Sequence, residues 1–165
     1  MTIRRFRASD LPHVLRVERA AFRSEGYTAA TFICHAFRDR RGFFVAESEA
    51  HQVVGYVLVR LGLRWLGSRK GGITSIAVAP AFRRQGIGRQ LLLHALSHLR
   101  EHRAEKADLE VNVSNLAAQS LYESLGFRRC RVLPNYYGLN RDGLQMVLDL
   151  TGSPADPCVD EVRAR

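Results

Sequence analysis

The hydrophobic period changes once, sharply, between residues 72 and 100, and this change constrains the fold more than any other feature. Gly72 to Val78 (Gly-Ile-Thr-Ser-Ile-Ala-Val) reads as a buried strand, closed by Pro80. Gly86 to Arg100 reads as a long helix with the apolar stripe Ile87, Leu91, Leu92, Ala95, Leu96 and Leu99. A strand passed by a short turn into an amphipathic helix argues for a sheet with helices packed on it. The turn itself is unusual. Two glycines and three arginines (Arg83, Arg84, Gly86, Gly88, Arg89) surround the helix start. Helix N-termini expose unpaired N–H groups and a partial positive charge, and glycine lets a phosphate approach the backbone closely. The arrangement suits a pyrophosphate. It is not a P-loop, because no Gly-Lys-Ser/Thr follows. It is not a dinucleotide fingerprint, because Leu91 stands where a third Gly or Ala would be needed. Taken alone, the segment equally fits a helix start dressed with surface arginines.

The flanking segments supply the rest of the sheet. Thr2 to Phe6 is short and extended. Ser9 offers a cap, and Leu11, Val14, Leu15, Val17 and Ala21 recur at helical spacing up to Phe22. A weaker helix runs from Thr28 to Phe37. Phe43 to Glu47 and Val53 to Leu61 are strands joined by the polar turn Ser48 to Gln52. Gly62 to Gly72 is a glycine-rich loop. Ala107 to Val113 alternates as a strand, Asn115 to Leu125 is a helix stopped by Gly126, and Arg128 to Leu133 and Gln145 to Leu150 are two more strands. The expected fold is a mixed α/β (α+β) single domain over residues 1–150. It has a central sheet of about seven strands and about four helices. Residues 151–165 carry Gly152, Pro154 and Pro157 and read as a disordered tail.

Composition narrows the class of partner. The chain has 165 residues and a formal charge of +9, and of its 25 cationic residues only Lys70 and Lys106 are lysine. An anionic partner fits: nucleic acid, a membrane surface or a phosphate-rich small molecule. Biased codon usage explains the arginine excess equally well. No apolar run approaches the ~20 residues of a membrane span. Met1 to Asp10 has no apolar core of a secretory signal, so a cytoplasmic location is expected. Cys34, Cys130 and Cys158 fit neither a disulfide framework nor a zinc site and are expected as free thiols.

Arg83-Arg84-Gln85-Gly86-Ile87-Gly88 resembles the Gln/Arg-x-x-Gly-x-Gly/Ala acyl-CoA motif of the GCN5-related N-acetyltransferase (GNAT) superfamily. Ile73 to Pro80 resembles the family's fourth strand, and Asn115 to Phe127, with Tyr122, its second signature. Leu109-Glu110-Val111-Asn112-Val113-Ser114-Asn115 and Asn135-Tyr136-Tyr137 are similar to the RimI-type ribosomal-protein alanine N-terminal acetyltransferases. The resemblance implies a splay between the fourth and fifth strands. It also implies acetyl-CoA, with its pantetheine arm on the backbone of Ile76, Ala77 and Val78. Its pyrophosphate would lie on Arg83, Arg84, Gln85, Gly86, Ile87, Gly88 and Arg89, and Asn115 would help hold it. Glu110 is implied as general base, Tyr122 as general acid, and Tyr136 and Tyr137 as a clamp on the acceptor peptide. The subgroup's Phe-Pro-Trp-like turn, which lines the acceptor site, is replaced by Phe22-Arg23-Ser24-Glu25-Gly26-Tyr27.

The chemistry requires these residue types. An amine attacks a thioester only when neutral, so a carboxylate must remove a proton, directly or through water. The departing thiolate needs a proton, which a tyrosine hydroxyl can give. A backbone N–H of the fourth strand would stabilise the oxyanion. No covalent enzyme intermediate is needed, so transfer runs through a ternary complex. The acceptor is expected to be a protein N-terminus. A small amine, polyamine or lysine remains an alternative, as does a non-catalytic acetyl-CoA or nucleic-acid binder. Ribosome contact and the choice of monomer or homodimer stay open, and no metal is expected. His94, His98 and His102, every fourth residue, read as a solvated helix face, Trp65 as a cover on the sheet, and the Arg4/Arg5/Arg7, Arg38/Arg40/Arg41 and Arg128/Arg129/Arg131 groups as surface charge.

Overall fold

The computed structural model describes residues 1–22, 27–38, 41–62, 70–153 and 158. Residues 23–26, Arg40, Trp65 and most of the tail therefore lie outside the described residues. The elements are β1 (Thr2–Arg5), a 3-10 turn (Ala8–Asp10), α1 (Leu11–Phe22), α2 (Ala29–Arg38), β2 (Phe43–Glu47), β3 (Val53–Leu61), β4 (Lys70–Val78), α3 (Ile87–Glu101), β5 (Lys106–Asn112), α4 (Leu116–Glu123), β6 (Arg128–Leu133) and β7 (Gly143–Asp149). The seven strands follow the order β1-β2-β3-β4-β5-β7-β6. β4 and β5 are parallel, and the β5–β7 and β6–β7 pairs are antiparallel. The chain divides into two compact units, residues 1–61 with 73–101, and residues 62–72 with 102–165.

The first unit holds the antiparallel strands β1, β2 and β3 and most of β4. Phe43 and Val45 face α1 and α2, where Val14, Val17, Phe32, Tyr56 and Leu58 complete one core. Phe32, Phe43 and Tyr56 meet ring to ring at 5.2–6.2 Å. The register slips after Ala46, which puts Val53 on this same face. Phe44, one residue out of phase, faces α3 instead, against His94 at 4.5 Å and His98 at 5.1 Å. The reading of the histidine row as a solvated face is corrected at His98, which is 4% exposed, whereas His94 is exposed and His102 half-buried. The apolar stripe of α3 is flanked by β2, so the His98 imidazole beside the stripe packs edge-on against the Phe44 ring and is withdrawn from water. The α1 entry also differs from expectation. Asp10, not Ser9, organises it, accepting from the Arg7 N–H at 2.7 Å and from both terminal nitrogens of Arg4. The Ser48–Gln52 turn forms as expected, closed by Ser48 N–H to Gln52 O at 2.8 Å.

The second unit is built on β5, β7 and β6. β5 pairs with β7 along its whole length, from Lys106 opposite Asp149 to Asn112 opposite Gly143. Its pairing with β4 covers only Lys70–Gly72 with Lys106–Asp108. Ile73–Val78 then continues within the first unit, and Leu109–Asn112 within the second. Lys70 and Gly71, which read as loop, are strand because of this ladder. β6 carries a bulge at Cys130, between the paired residues Arg129 and Arg131. There Cys130 is disulfide-bonded to Cys158, which corrects the expectation of free thiols. Spacing alone could not find the pair, because the partners are 28 positions apart with β7 between them. Cys34 is free and exposed.

Candidate active site

In the first unit, β4 ends at Val78 and the chain turns back immediately. Ala79 N–H donates to Val54 O at 2.8 Å, and Arg83 Nε donates to the Val78 carbonyl at 3.1 Å. β3 and β4 touch closely here, since a Cβ on Gly55 would come within 2.9 Å of the Ala77 oxygen. Ala77 is buried, while Ile76 and Val78 are half-buried. Arg84 and Gly86 both adopt left-handed backbone, at φ 64° and 77°. Such alternation within one turn is the conformation in which backbone N–H groups converge on an anion. A Cβ on Gly86 would meet nothing within 4 Å, so the space above the turn is open. Ile87 anchors α3 in the core, and Gly88 follows it half-buried in the first helical turn. Arg83, Arg84, Gln85 and Arg89 are exposed around that opening. The segment thus presents a left-handed turn, exposed arginine charge and the N-terminus of a 15-residue helix, a setting favourable to an anion.

In the second unit, β5 alternates as the sequence indicates. Ala107, Leu109 and Val111 are buried, and Asp108, Glu110 and Asn112 share the opposite, half-buried face. Glu110 lies opposite Gln145 of β7. The turn from β5 into α4 is held by side chains. Asn112 Oδ1 accepts from Ser114 N–H and Oγ, and the buried Gln119 amide donates to the Asn112 and Val113 carbonyls. Asn115 caps α4, its Oδ1 accepting from Ala118 N–H at 3.2 Å. Its carbonyl side is therefore committed to the helix. Gln119 was not singled out from sequence, although a glutamine at an inward position of a short helix is itself a signal.

Tyr122 lies on the inner side of α4, 7% exposed, with its ring 5.9 Å from Phe127. Burial pushes its phenol up to about 12. Among the described residues its hydroxyl has no hydrogen-bond partner. It is a neutral O–H donor held in an apolar setting, with its proton uncommitted.

The β6–β7 loop is ordered by its own polar groups. Asn135 and Asn140 are left-handed, Asn135 N–H donates to Asp142 Oδ1, and Asn140 N–H donates to Asn135 Oδ1. Tyr137 donates from its hydroxyl to the Glu110 carbonyl at 2.9 Å. Tyr136 packs edge-on against Tyr137 at 5.0 Å and is 52% exposed. Its Cβ and ring cover Gly143, where a side chain would clash at 3.0 Å. The two tyrosines thus divide their roles: Tyr137 docks the loop on β5 and Tyr136 is presented outward.

Comparison with known proteins finds similar chains. The model of the acetyltransferase (GNAT) family matches residues 9–127. An N-alpha-acetyltransferase of Sulfurisphaera tokodaii is 36% identical over 156 residues, covering 90% of this chain and 92% of that protein. The [ribosomal protein bS18]-alanine N-acetyltransferase of Escherichia coli K12 is 31% identical, covering 82% and 86%. The crystal structure of Chaetomium thermophilum Naa20 in complex with a bisubstrate analogue superposes with a TM-score of 0.82 at 26% identity, covering 100% of this chain and 92% of that one.

Proposed function

Because this chain belongs to the acetyltransferase (GNAT) family, and so is an acetyl-CoA-dependent N-acetyltransferase, we propose that it acetylates the α-amine of protein N-termini. Glu110 serves as general base and Tyr122 as general acid. The backbone of Ile76, Ala77 and Val78 takes the pantetheine arm. Arg83, Arg84, Gln85, Gly86, Ile87, Gly88 and Arg89 take the pyrophosphate, and Asn115 uses its remaining amide donor toward the cosubstrate. Tyr136 and Tyr137 hold the acceptor peptide, and Phe22 and Tyr27, the described residues of the segment read as lining its site, contribute to it.

The observation that carries this reading is the hydrogen bond from Tyr137 to the Glu110 carbonyl. It joins the loop read as a peptide clamp to the strand bearing the carboxylate that accepts the amine proton. Glu110 removes the proton, directly or through water, as the amine attacks the thioester carbonyl. Tyr122, protonated throughout the physiological range, delivers its proton to the CoA thiolate as the C–S bond breaks. The demand on Glu110 is modest. An α-amine of pKa about 7.7–8.0 is roughly a quarter neutral near pH 7.4, whereas a lysine is neutral in only about 0.1% of molecules.

Purified protein and acetyl-CoA, offered a panel of N-terminal peptides beside polyamines, small amines and N-terminally blocked lysine peptides, should release CoA fastest with free N-termini. No CoA release with any peptide, together with turnover of a small amine, would replace this acceptor.

A further inference from the structure

The buried face of α1 carries a carboxylate. Glu18 is 2% exposed and lies four residues after Val14 and one after Val17, both in the core. Burial pushes its carboxyl above the ordinary range, against the opposing pull of hydrogen bonds from Tyr56 and Tyr27. Among the described residues its partners are neutral. Oε1 accepts from the Tyr27 backbone N–H at 2.6 Å, and Oε2 accepts from the Tyr56 hydroxyl. Tyr56 is fully buried on β3, and its hydroxyl also lies 2.9 Å from Ser75 Oγ on β4. The chain of bonds runs from Tyr27 through Glu18 and Tyr56 to Ser75, all inside the first unit. A carboxylate without a cationic partner among the described residues is an expensive way to fill a core position that an apolar residue would fill well. Its two ends indicate what it achieves. Tyr27 closes the α1–α2 connection, and Ser75 immediately precedes Ile76, Ala77 and Val78.

We propose that Glu18 is a positioning residue for the acceptor: by holding the Tyr27 backbone and the Tyr56 hydroxyl together, it fixes Tyr27, at the entry to α2, to the sheet and so sets acceptor binding. This rests on the placement of Tyr27 at the acceptor site in the reading above. The role is mechanical. Glu18 touches neither substrate, and the carboxylate serves because it can accept two bonds at once, one from helix-connecting backbone and one from the strand. Glutamine can nearly replace it. Its Oε1 accepts from Tyr27 N–H, its amide donates to the Tyr56 oxygen, and the Tyr56 hydroxyl then donates to Ser75. Alanine can make neither bond.

Steady-state kinetics of Glu18→Ala, Glu18→Gln and Tyr56→Phe with the best acceptor of the panel, combined with hydrogen exchange at the Tyr27 amide, test this. Glu18→Ala should raise the acceptor KM about tenfold, as loss of roughly one buried hydrogen bond implies, and leave the acetyl-CoA KM within about twofold. Glu18→Gln should restore the acceptor KM to within about threefold of the parent, and Tyr56→Phe should fall between. The Tyr27 amide should exchange about tenfold faster or more in Glu18→Ala and at the parental rate in Glu18→Gln. The proposal falls if Glu18→Ala shifts both KM values together, if it lowers only kcat, or if it leaves the Tyr27 amide protected. If Glu18→Ala does not fold, a Tyr56→Phe variant with an unchanged acceptor KM overturns it. If only small amines turn over, the N-terminal reading fails, and the same comparison with that amine still decides the role of Glu18. If nothing turns over, an unchanged Tyr27 amide in Glu18→Ala is sufficient refutation.

Discussion

Tyr122 is the residue whose setting defines its behaviour most sharply. Its phenol, pushed up to about 12 by burial, stays protonated far above neutral pH. A general acid works only below its own pKa, so Tyr122 should impose no alkaline fall in kcat before about pH 12. With the parent protein, kcat measured up to about pH 10 should therefore not decline, whereas an ordinary tyrosine near 10 would already be half ionised there. Tyr122→Phe should lower kcat about 10²-fold with both KM values little changed, since the hydroxyl has no other partner to lose among the described residues. Asp10 makes the opposite kind of prediction. Burial would raise its carboxyl, but hydrogen bonds from Arg4 and the Arg7 N–H, together with the Arg4 charge, outweigh it and hold the group below the ordinary aspartate range. Its folded pKa is depressed. The stability it contributes is thus whole above the unfolded value of about 3.9 and drains away as pH falls through the folded one. Asp10→Asn should cost about 2–3 kcal/mol in urea unfolding at neutral pH, as breaking one side of a mostly buried pair does, with the difference closing in acid.

At the scale of elements, β6 is the least protected strand. It lies at the end of the sheet order, is bulged, and exposes Val132 at 55%. The Cys130–Cys158 disulfide ties it to the segment beyond β7 and closes a loop that contains the Tyr136–Tyr137 turn. A loop of this length constrains the unfolded chain by about 3–4 kcal/mol. Reduction, or Cys130→Ser, should therefore lower Tm by roughly 10 °C. Cys34→Ser, which leaves the bond intact, should not. Coincident melting of oxidised and reduced protein would show that the bond contributes nothing. The other elements owe their form to local rules: the left-handed Arg84 and Gly86 before α3, the Asn115 cap on α4, and the alternation of β5.

For the whole molecule, the charge of +9 is not used up by the cosubstrate, since Arg83, Arg84 and Arg89 account for three and leave +6. Neutralising those three together should raise the acetyl-CoA KM and flatten its dependence on salt between about 0.05 and 0.5 M, where screening shortens from beyond 10 Å to a few ångströms. Salt dependence equal to that of the parent would remove them from the phosphate site. The remaining charge gives no long-range attraction toward basic proteins, so acidic N-terminal peptides should associate faster at low salt. Much of this was readable from residues in order. The strand-to-helix change of period, the glycine-arginine turn, both β2–β3 strand bounds and the face of Glu110 follow from periodicity and turn chemistry, which act over a few neighbours. Sequence by itself thus determined the family, the element order and the type of chemistry. Only tertiary structure decided the rest: that His98 is buried on Phe44, that Cys130 meets Cys158, that Lys70 and Gly71 are strand, and that Tyr137 docks on Glu110. Glu18 lies between the two cases. Its place on the apolar stripe of α1 is visible in the sequence, but its partners Tyr27 and Tyr56 come from a chain connection and a strand 9 and 38 residues away. Short-range preferences say which surface a residue occupies; which distant group arrives on that surface is set by how the strands pair and the helices pack.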